Sequence, residues 1–249
     1  MSSFVIKIIA IISMIFDHAS DAIIGHFSFF NLIGRIAFPL FCFQLVNGFK
    51  HTKNIYKYML RLIIFGIISQ IPFSIFIYFY SGSFTTLNIF FTLALGLLAI
   101  YILDKLPNNL KFIGILVDIL IIALAEIIKV DYGWFGVALI LCIYLFYKER
   151  NGFNKEIIKN TDNINILNKL KNNYLFTIIF FLLCFIKYCN LFSNVSSIIV
   201  WEQILFTFSP IIVMLLYNGK KGPSLKYFFY AFYPIHLAIF AFVSYLLHF

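Results

Sequence analysis

The sequence predicts an all-α fold, a bundle of about nine transmembrane helices in a single domain over residues 1–249. The first observation is composition: hydrophobic residues make up 62%, charged residues 12%, and the mean hydropathy is +0.96. A soluble domain is about 45–50% apolar and about 25% charged, so this chain needs lipid as its solvent. The second observation is length, because apolar segments of about 20 residues recur, as helices that cross the hydrocarbon core require.

Nine apolar segments are predicted to span the membrane: 4–24, 29–49, 58–80, 86–104, 110–128, 132–148, 174–191, 196–217 and 227–247. The segment 132–148 is short for a span. The longest connection, 149–173, is polar and rich in Asn and Lys, so we expect a mobile cytoplasmic loop there.

Lys and Arg are concentrated in alternate loops. They lie in 50–57, 104–111, 148–171 and 218–226, whereas the loops near residues 25, 82 and 194 have none. Because positive charge marks cytoplasmic loops, we expect a multi-pass cell-membrane protein with its N-terminus inside and its C-terminus outside. The same distribution makes the formal net charge of +9 a topology signal rather than a nucleic-acid surface.

The first span carries Lys7 and His18, which are eleven residues apart. At 3.6 residues per turn they lie within about 20° of each other on one face and about 16 Å apart along the helix axis. Asp17 and Asp21 flank His18, and a carboxylate there could orient the imidazole and stabilise its charged form. An alternative is that Lys7 snorkels from a helix end and His18 is an interfacial residue.

The second span carries Arg35 in its outer half. A guanidinium keeps its charge at this depth, so it needs a carboxylate or a water-filled cavity, and Asp17 or Asp21 would serve. A purely structural Arg–Asp pair between the first two spans is the alternative to a role in binding.

The third span carries Arg61 in its inner part, close to Lys50, His51 and Lys53. These four residues form a predicted basic cluster on the cytoplasmic side, and such a cluster suits a phosphorylated ligand. Ordinary positive-inside anchoring is the alternative for each Lys.

Polar residues also occur in later spans. Asn88 and Thr92, one turn apart, would either bind a ligand or tie helices together. Pro234 interrupts the backbone hydrogen bonds of the last span, and His236 follows at mid-depth, where it is either functional or a satisfied core histidine. The four cysteines have no partner at zinc-ligand spacing, so we expect no metal.

Seven strings occur in order over nearly the whole chain: K-I-I-A-I-I-S-M-I-F-D-H (7–18), I-G-R-I-A-F-P-L-F-C-F (33–43), G-F-K-H-T-K-N (48–54), Y-M-L-R-L-I-I-F-G-I-I-S-Q-I-P-F (58–73), D-Y-G-W-F-G-V (131–137), Y-N-G-K-K-G (217–222) and F-Y-P-I-H-L (232–237). Together they resemble the TraX family. That family is named for a membrane protein that acetylates the N-terminus of F-type conjugative pilin. It resembles in turn the transmembrane acyltransferases, which include the acyltransferase-3 proteins.

The resemblance implies an acyltransferase. In the wider group a basic residue, ten intervening residues and a His mark the first helix, and Lys7 and His18 match this spacing. The implied reaction moves an acetyl or other short acyl group from acyl-CoA to an amine or hydroxyl of a pilin-like protein or a glycan. His18 would act as general base, with an acidic neighbour holding its tautomer, or would form an acyl-His intermediate.

The polar residues of the spans that we expect to contact substrate are Lys7, Arg35, Arg61, Asn88 and His236. Acyl-CoA would dock its phosphates against Lys7, Lys50 and Arg61, and its pantetheine arm would reach inward. A transporter or channel that uses the same polar residues is the competing function, although the sequence has no internal repeat of the transporter kind. A third possibility is a scaffold without catalysis.

Overall fold

The computed structural model describes residues 1–82, 84–157, 164–223 and 226–248. Its helices are α1 (Ser3–Ala19), α2 (Phe29–Gly34), α3 (Ala37–His51), α4 (Ile55–Ser81), α5 (Ile89–Lys105), α6 (Lys111–Ile127), α7 (Gly133–Ile157), α8 (Ile164–Tyr188), α9 (Ser197–Phe208), α10 (Pro210–Leu215) and α11 (Lys226–His248). A π-helical segment, Ser20–Ile24, continues α1. The predicted fold class, an all-α membrane bundle, is therefore confirmed.

Each predicted span is helical, and six helical segments are long and apolar enough to cross a membrane: Ser3–Ile24, Phe29–His51, Ile55–Phe79, Tyr174–Ser193, Ser197–Leu215 and Tyr227–Leu247. The helices α5 and α6 have 17 residues each, and Gly133–Phe146 of α7 is a shorter apolar helix. A 17-residue helix is about 26 Å long, slightly less than a hydrocarbon core of about 30 Å. The count of nine spans therefore stays a prediction.

The second span differs from prediction because it is broken into α2 and α3. Pro39 has no N–H to donate to the Arg35 carbonyl four residues earlier, so one hydrogen bond of a continuous helix is lost at this point. On the α2 side, a Cβ added to Gly34 would lie 2.4 Å from Cβ of Asp17. The break and the close approach of α1 place Arg35 beside the C-terminal end of α1.

The segment 149–173 also differs from the predicted loop. The helix α7 extends to Ile157 and α8 begins at Ile164, so the backbone on both sides of the connection is helical. Apolar residues there recur one turn apart, as at Ile166 and Leu170, a spacing that favours helix. Residues 158–163 of the predicted mobile loop lie outside the described residues.

Three helices position the candidate site. The helix α11 packs along α4, and both contact α1 or its π-helical continuation. All three run in the same direction, because the residues Lys7, Arg61 and Phe229 near their N-terminal ends line one cavity. Their more C-terminal residues His18, Phe76 and His236 meet deeper in the bundle.

Candidate functional site

Two histidines from opposite ends of the sequence meet inside the bundle. Nδ1 of His18 lies 2.9 Å from Nε2 of His236. The two ring planes differ by 6° and the centroids are 5.1 Å apart. Nδ1 of His236 in turn lies 2.9 Å from the carbonyl oxygen of Phe232, four residues earlier in α11. The contacts therefore form a chain from a backbone carbonyl through His236 to His18.

Aromatic rings surround this histidine pair. The ring of Phe76 lies 5.2 Å from that of His18, centroid to centroid. The rings of Phe232, Tyr233 and Phe240 lie 4.9, 5.4 and 6.2 Å from that of His236. His236 is 5% exposed and Phe76 is 1% exposed, whereas His18 is half-buried, so the apolar rings cover His236 more completely than His18.

A cavity of about 330 Å³ leads toward the pair from the N-terminal end of α1. Lys7, Ile11 and Met14 line it from one face of α1, and His18 is the next residue on that face. Phe232 of α11, four residues before His236, also lines the cavity. The cavity therefore ends about one helical turn short of the two imidazoles.

Four basic residues from four segments line this cavity: Lys7, His51, Arg61 and Lys221, which we call the cavity entrance. Nζ of Lys7 lies 5.2 Å from the Phe229 ring centroid. The predicted basic cluster thus contributes His51 and Arg61 to the cavity, whereas Lys50 and Lys53 are not among its described lining residues.

Arg61 is the residue of the entrance whose hydrogen bonding is incomplete. Cζ of Arg61 lies 5.7 Å from the Tyr58 ring centroid, and its buried Nε has no partner among the described residues. A buried guanidinium N–H without an acceptor is costly. An anionic ligand in the cavity would remove this cost.

Lys221 was not singled out by sequence reasoning. The segment before it is held to the start of α1 by two backbone hydrogen bonds, from the Ser3 N–H to the Lys220 carbonyl (2.8 Å) and from the Phe4 N–H to the Lys221 carbonyl (3.1 Å). Gly222 has φ +72°, in the left-handed region, and a Cβ there would lie 2.8 Å from Cβ of Phe4. The string Y-N-G-K-K-G was the signal that could have identified this residue.

The structure gives Asp17 and Asp21, the expected acidic partners of His18, another partner in α2. Nδ2 of Asn31 donates to Oδ1 of Asp17 (3.1 Å) and to Oδ1 of Asp21 (2.7 Å), so both carboxylates bind α2. His18 pairs with His236 instead. The reason is angular: adjacent residues on a helix point about 100° apart, so Asp17 and His18 face different neighbours.

Arg35 lies where the sequence predicts, beside the acidic end of α1. Its charge interacts with those of Asp17 and Asp21, and with the side chains of Tyr132 and Tyr188. Its buried Nε has no hydrogen-bond partner among the described residues. The structure does not place Arg35 on the described lining of the cavity.

Asn88 has a structural role rather than the expected ligand contact. It caps α5, with Oδ1 accepting from the Phe90 N–H at 3.0 Å, and its Nδ2 donates to the Gly66 carbonyl at 2.7 Å. Nδ2 also donates to Oε1 of Gln70 at 2.8 Å. With its side chain fully buried and its amide used, Asn88 ties α4 to α5.

A further pair of charged residues, not among the expected site residues, lies near the C-terminal end of α1. Asp131 lies in the turn between α6 and α7, and burial raises the pKa of its carboxyl to about 6, while the Lys187 ammonium acts to lower it. Nζ of Lys187 lies 5.8 Å from the Tyr132 ring centroid. Lys187 gave no sequence signal, because it resembles an ordinary helix-end cation.

Comparison with known proteins gives a family match and two relatives. The family model described as "TraX protein" matches residues 2–244. A probable fimbrial assembly protein FimC, serogroup H1, of Dichelobacter nodosus is 31% identical over 253 residues, which cover 96% of this chain and 93% of that protein. An uncharacterised protein of Rickettsia prowazekii (strain Madrid E) is 28% identical over 147 residues, 58% of this chain and 56% of that protein. No solved structure matches.

Proposed function

The chain belongs to the TraX family, and from this premise we propose that it is an integral membrane acyltransferase. It moves an acetyl or other short acyl group from cytoplasmic acyl-CoA to an amine or hydroxyl acceptor at or beyond the outer membrane face. The Dichelobacter nodosus relative is named for fimbrial assembly, and that name favours a pilin-like protein over a glycan as the acceptor.

One observation carries the proposal: a single cavity has basic residues at its entrance and an imidazole pair one turn beyond its inner end. A transferase that uses acyl-CoA needs both features. The phosphates require cations, and the amine or hydroxyl that attacks the thioester requires a proton acceptor.

Acyl-CoA fits this arrangement with its phosphates against the cavity entrance. Lys7, Arg61 and Lys221 would contact the phosphates, and the unpartnered Nε of Arg61 would gain an acceptor. The pantetheine arm would then follow Ile11 and Met14 along α1. The rise of about 16 Å from Lys7 to His18 suits an extended arm rather than a compact ligand.

The chemistry follows from the position of His18. The acceptor oxygen or nitrogen attacks the thioester carbonyl carbon while His18 removes its proton. The C–S bond then breaks, and the departing thiolate of CoA receives that proton from His18. The products are the acylated acceptor and free CoA, so atoms and charges balance without a metal or a redox step.

The test is transfer from labelled acetyl-CoA in membranes that contain wild-type protein or His18→Ala. We expect wild-type to label an acceptor, which mass spectrometry identifies, and His18→Ala to lose at least a hundredfold in rate, the lower end of what a general base contributes. His26→Ala is the matched control, because His26 is exposed in the loop after the π-helical segment and hydrogen-bonds the nearby Ile24 carbonyl.

Full transfer by His18→Ala at normal abundance would remove His18 from the chemistry. An uptake assay in proteoliposomes distinguishes the acyltransferase from the competing function, a transporter. Uptake of a labelled acyl-CoA without acylation of any component would support a transporter and contradict the acyltransferase.

A further inference from the structure

We propose that His236 is a positioning residue that fixes the tautomer of His18, so that Nε2 of His18 is the basic atom of the site. This inference rests on the proposed acyl transfer and deepens it. It replaces the acidic neighbour that the sequence suggested with a second, neutral imidazole.

The direction of the hydrogen bonds follows from what each group can donate. The Phe232 carbonyl only accepts, so Nδ1 of His236, 2.9 Å away, carries a proton. A neutral imidazole has one N–H, so Nε2 of His236 presents a lone pair. Nδ1 of His18, 2.9 Å from that lone pair, must therefore be the donor. Nε2 of a neutral His18 is then free to accept a proton.

The opposite assignment is excluded by the same contacts. If His236 were protonated on Nε2 alone, its Nδ1 lone pair would face the lone pairs of the Phe232 carbonyl at 2.9 Å. Two acceptors at that separation repel each other. The carbonyl therefore selects the tautomer of His236, and His236 selects that of His18.

The geometry suits an edge-to-edge hydrogen bond. The ring planes differ by 6°, the centroids are 5.1 Å apart and the two nitrogens are 2.9 Å apart, so the Nδ1 proton of His18 lies close to the plane of the His236 ring. The surrounding rings of Phe76, Phe232 and Phe240 offer no competing acceptor for the His18 N–H.

The pair also distributes the charge that forms during transfer. When Nε2 of His18 takes the acceptor's proton, His18 becomes an imidazolium whose Nδ1–H points at His236. Movement of that proton to Nε2 of His236 makes His236 the cation, and its Nδ1–H remains bound to the Phe232 carbonyl. When the thiolate of CoA removes the proton from Nε2 of His18, the shared proton returns, and both rings are neutral again.

Two substitutions separate positioning from packing. Leu at position 236 keeps bulk but offers no acceptor, whereas Gln offers Oε1 close to the place of the imidazole Nε2. For His236→Leu we expect at least a hundredfold lower kcat with an unchanged Kd for acetyl-CoA. For His236→Gln we expect kcat within about tenfold of wild-type, because the base loses little when its orienting acceptor remains.

Nitrogen NMR of the histidine rings gives a readout that does not depend on turnover. In ¹⁵N-histidine-labelled wild-type protein, the His18 signals, assigned by their loss in His18→Ala, should show a protonated Nδ1 and an unprotonated Nε2. In His236→Leu, this tautomer preference should weaken.

A His18 ring protonated on Nε2, or wild-type kcat in His236→Leu, would overturn the inference. If wild-type protein transfers no acyl group, the proposed function fails, and the inference fails with it as an account of catalysis even where the tautomer is as described. The two failures are thus distinguishable.

Discussion

Lys7 and His18 show which features of the site helix periodicity alone can predict. Their spacing predicted one face of α1, and Lys7, Ile11 and Met14 do line one cavity that leads toward His18. The partner of His18 could not be predicted in the same way. His236 is 218 residues away, and its contact depends on how α11 packs against α1, which local spacing does not encode.

The partners of the acidic residues Asp17 and Asp21 could not be predicted from local spacing either. The acidic residues beside His18 suggested a carboxylate–imidazole pair, but neighbours in sequence diverge around a helix. Asn31, for which no role was predicted, donates hydrogen bonds to Asp17 and Asp21. Contacts between elements thus override proximity in the chain.

Lys7 gives a prediction at the residue scale. Replacing Lys7 by Met keeps the length of the side chain but removes the ammonium at the cavity entrance. We expect KM for acetyl-CoA to rise about tenfold, the value of one charge-assisted hydrogen bond, with little change in kcat. Steady-state kinetics with Lys105→Met as control measures this, because Lys105 is exposed at the end of α5. An effect confined to kcat would contradict a docking role.

At the scale of elements, the sequence predicted where helices occur and missed where they break. Apolar length located the helices, but the division of the second predicted span into α2 and α3 depends on Pro39 and on contact with α1. The extension of α7 and α8 into the segment 149–173 was missed for another reason. Polar composition suggested a loop, although helices beyond the hydrocarbon core are free to be polar.

A substitution at Gly34 tests the close contact between α2 and α1 beside this break. A Cβ at this position would lie 2.4 Å from Cβ and Cγ of Asp17, so one of the two helices must move. We expect Gly34→Ala to destabilise the protein by about 1–3 kcal/mol, the usual cost of overpacking. Thermal unfolding in detergent measures the change.

Gly66→Ala is the matched control for Gly34→Ala. It lies inside α4, and the nearest side-chain atom to its added Cβ would be 3.3 Å away. Its effect should be small, because a gain in helix propensity offsets a slight rearrangement. Equal melting temperatures for Gly34→Ala and wild-type would show that α1 and α2 are less closely packed than described.

At the scale of the whole molecule, orientation decides whether the cavity can receive acyl-CoA. The entrance residues Lys7 and Lys221 lie at the end that the charge distribution assigns to the cytoplasm. The loop that contains His26 lies at the other end of α1. A cavity that opened outward would have no access to cytoplasmic acyl-CoA.

Cysteine labelling tests this orientation in intact cells. In a Cys189→Ser background, Lys220→Cys and His26→Cys each add a thiol at an exposed position. A membrane-impermeant maleimide should label His26→Cys in intact cells and Lys220→Cys only after lysis. The reverse pattern would invert the topology and separate the cavity from its proposed donor.

The central claim is that acyl-CoA occupies the cavity with its acyl carbon beside His18. Bromoacetyl-CoA tests it directly, because a thiol near that carbon displaces bromide and becomes covalently attached. Met14→Cys places a thiol on the lining one turn before His18, whereas Ile12→Cys places one on the exposed side of α1. Mass spectrometry should find the adduct on Met14→Cys, suppressed by excess CoA, and little on Ile12→Cys. Equal modification of both variants, or modification that CoA does not suppress, would contradict the account.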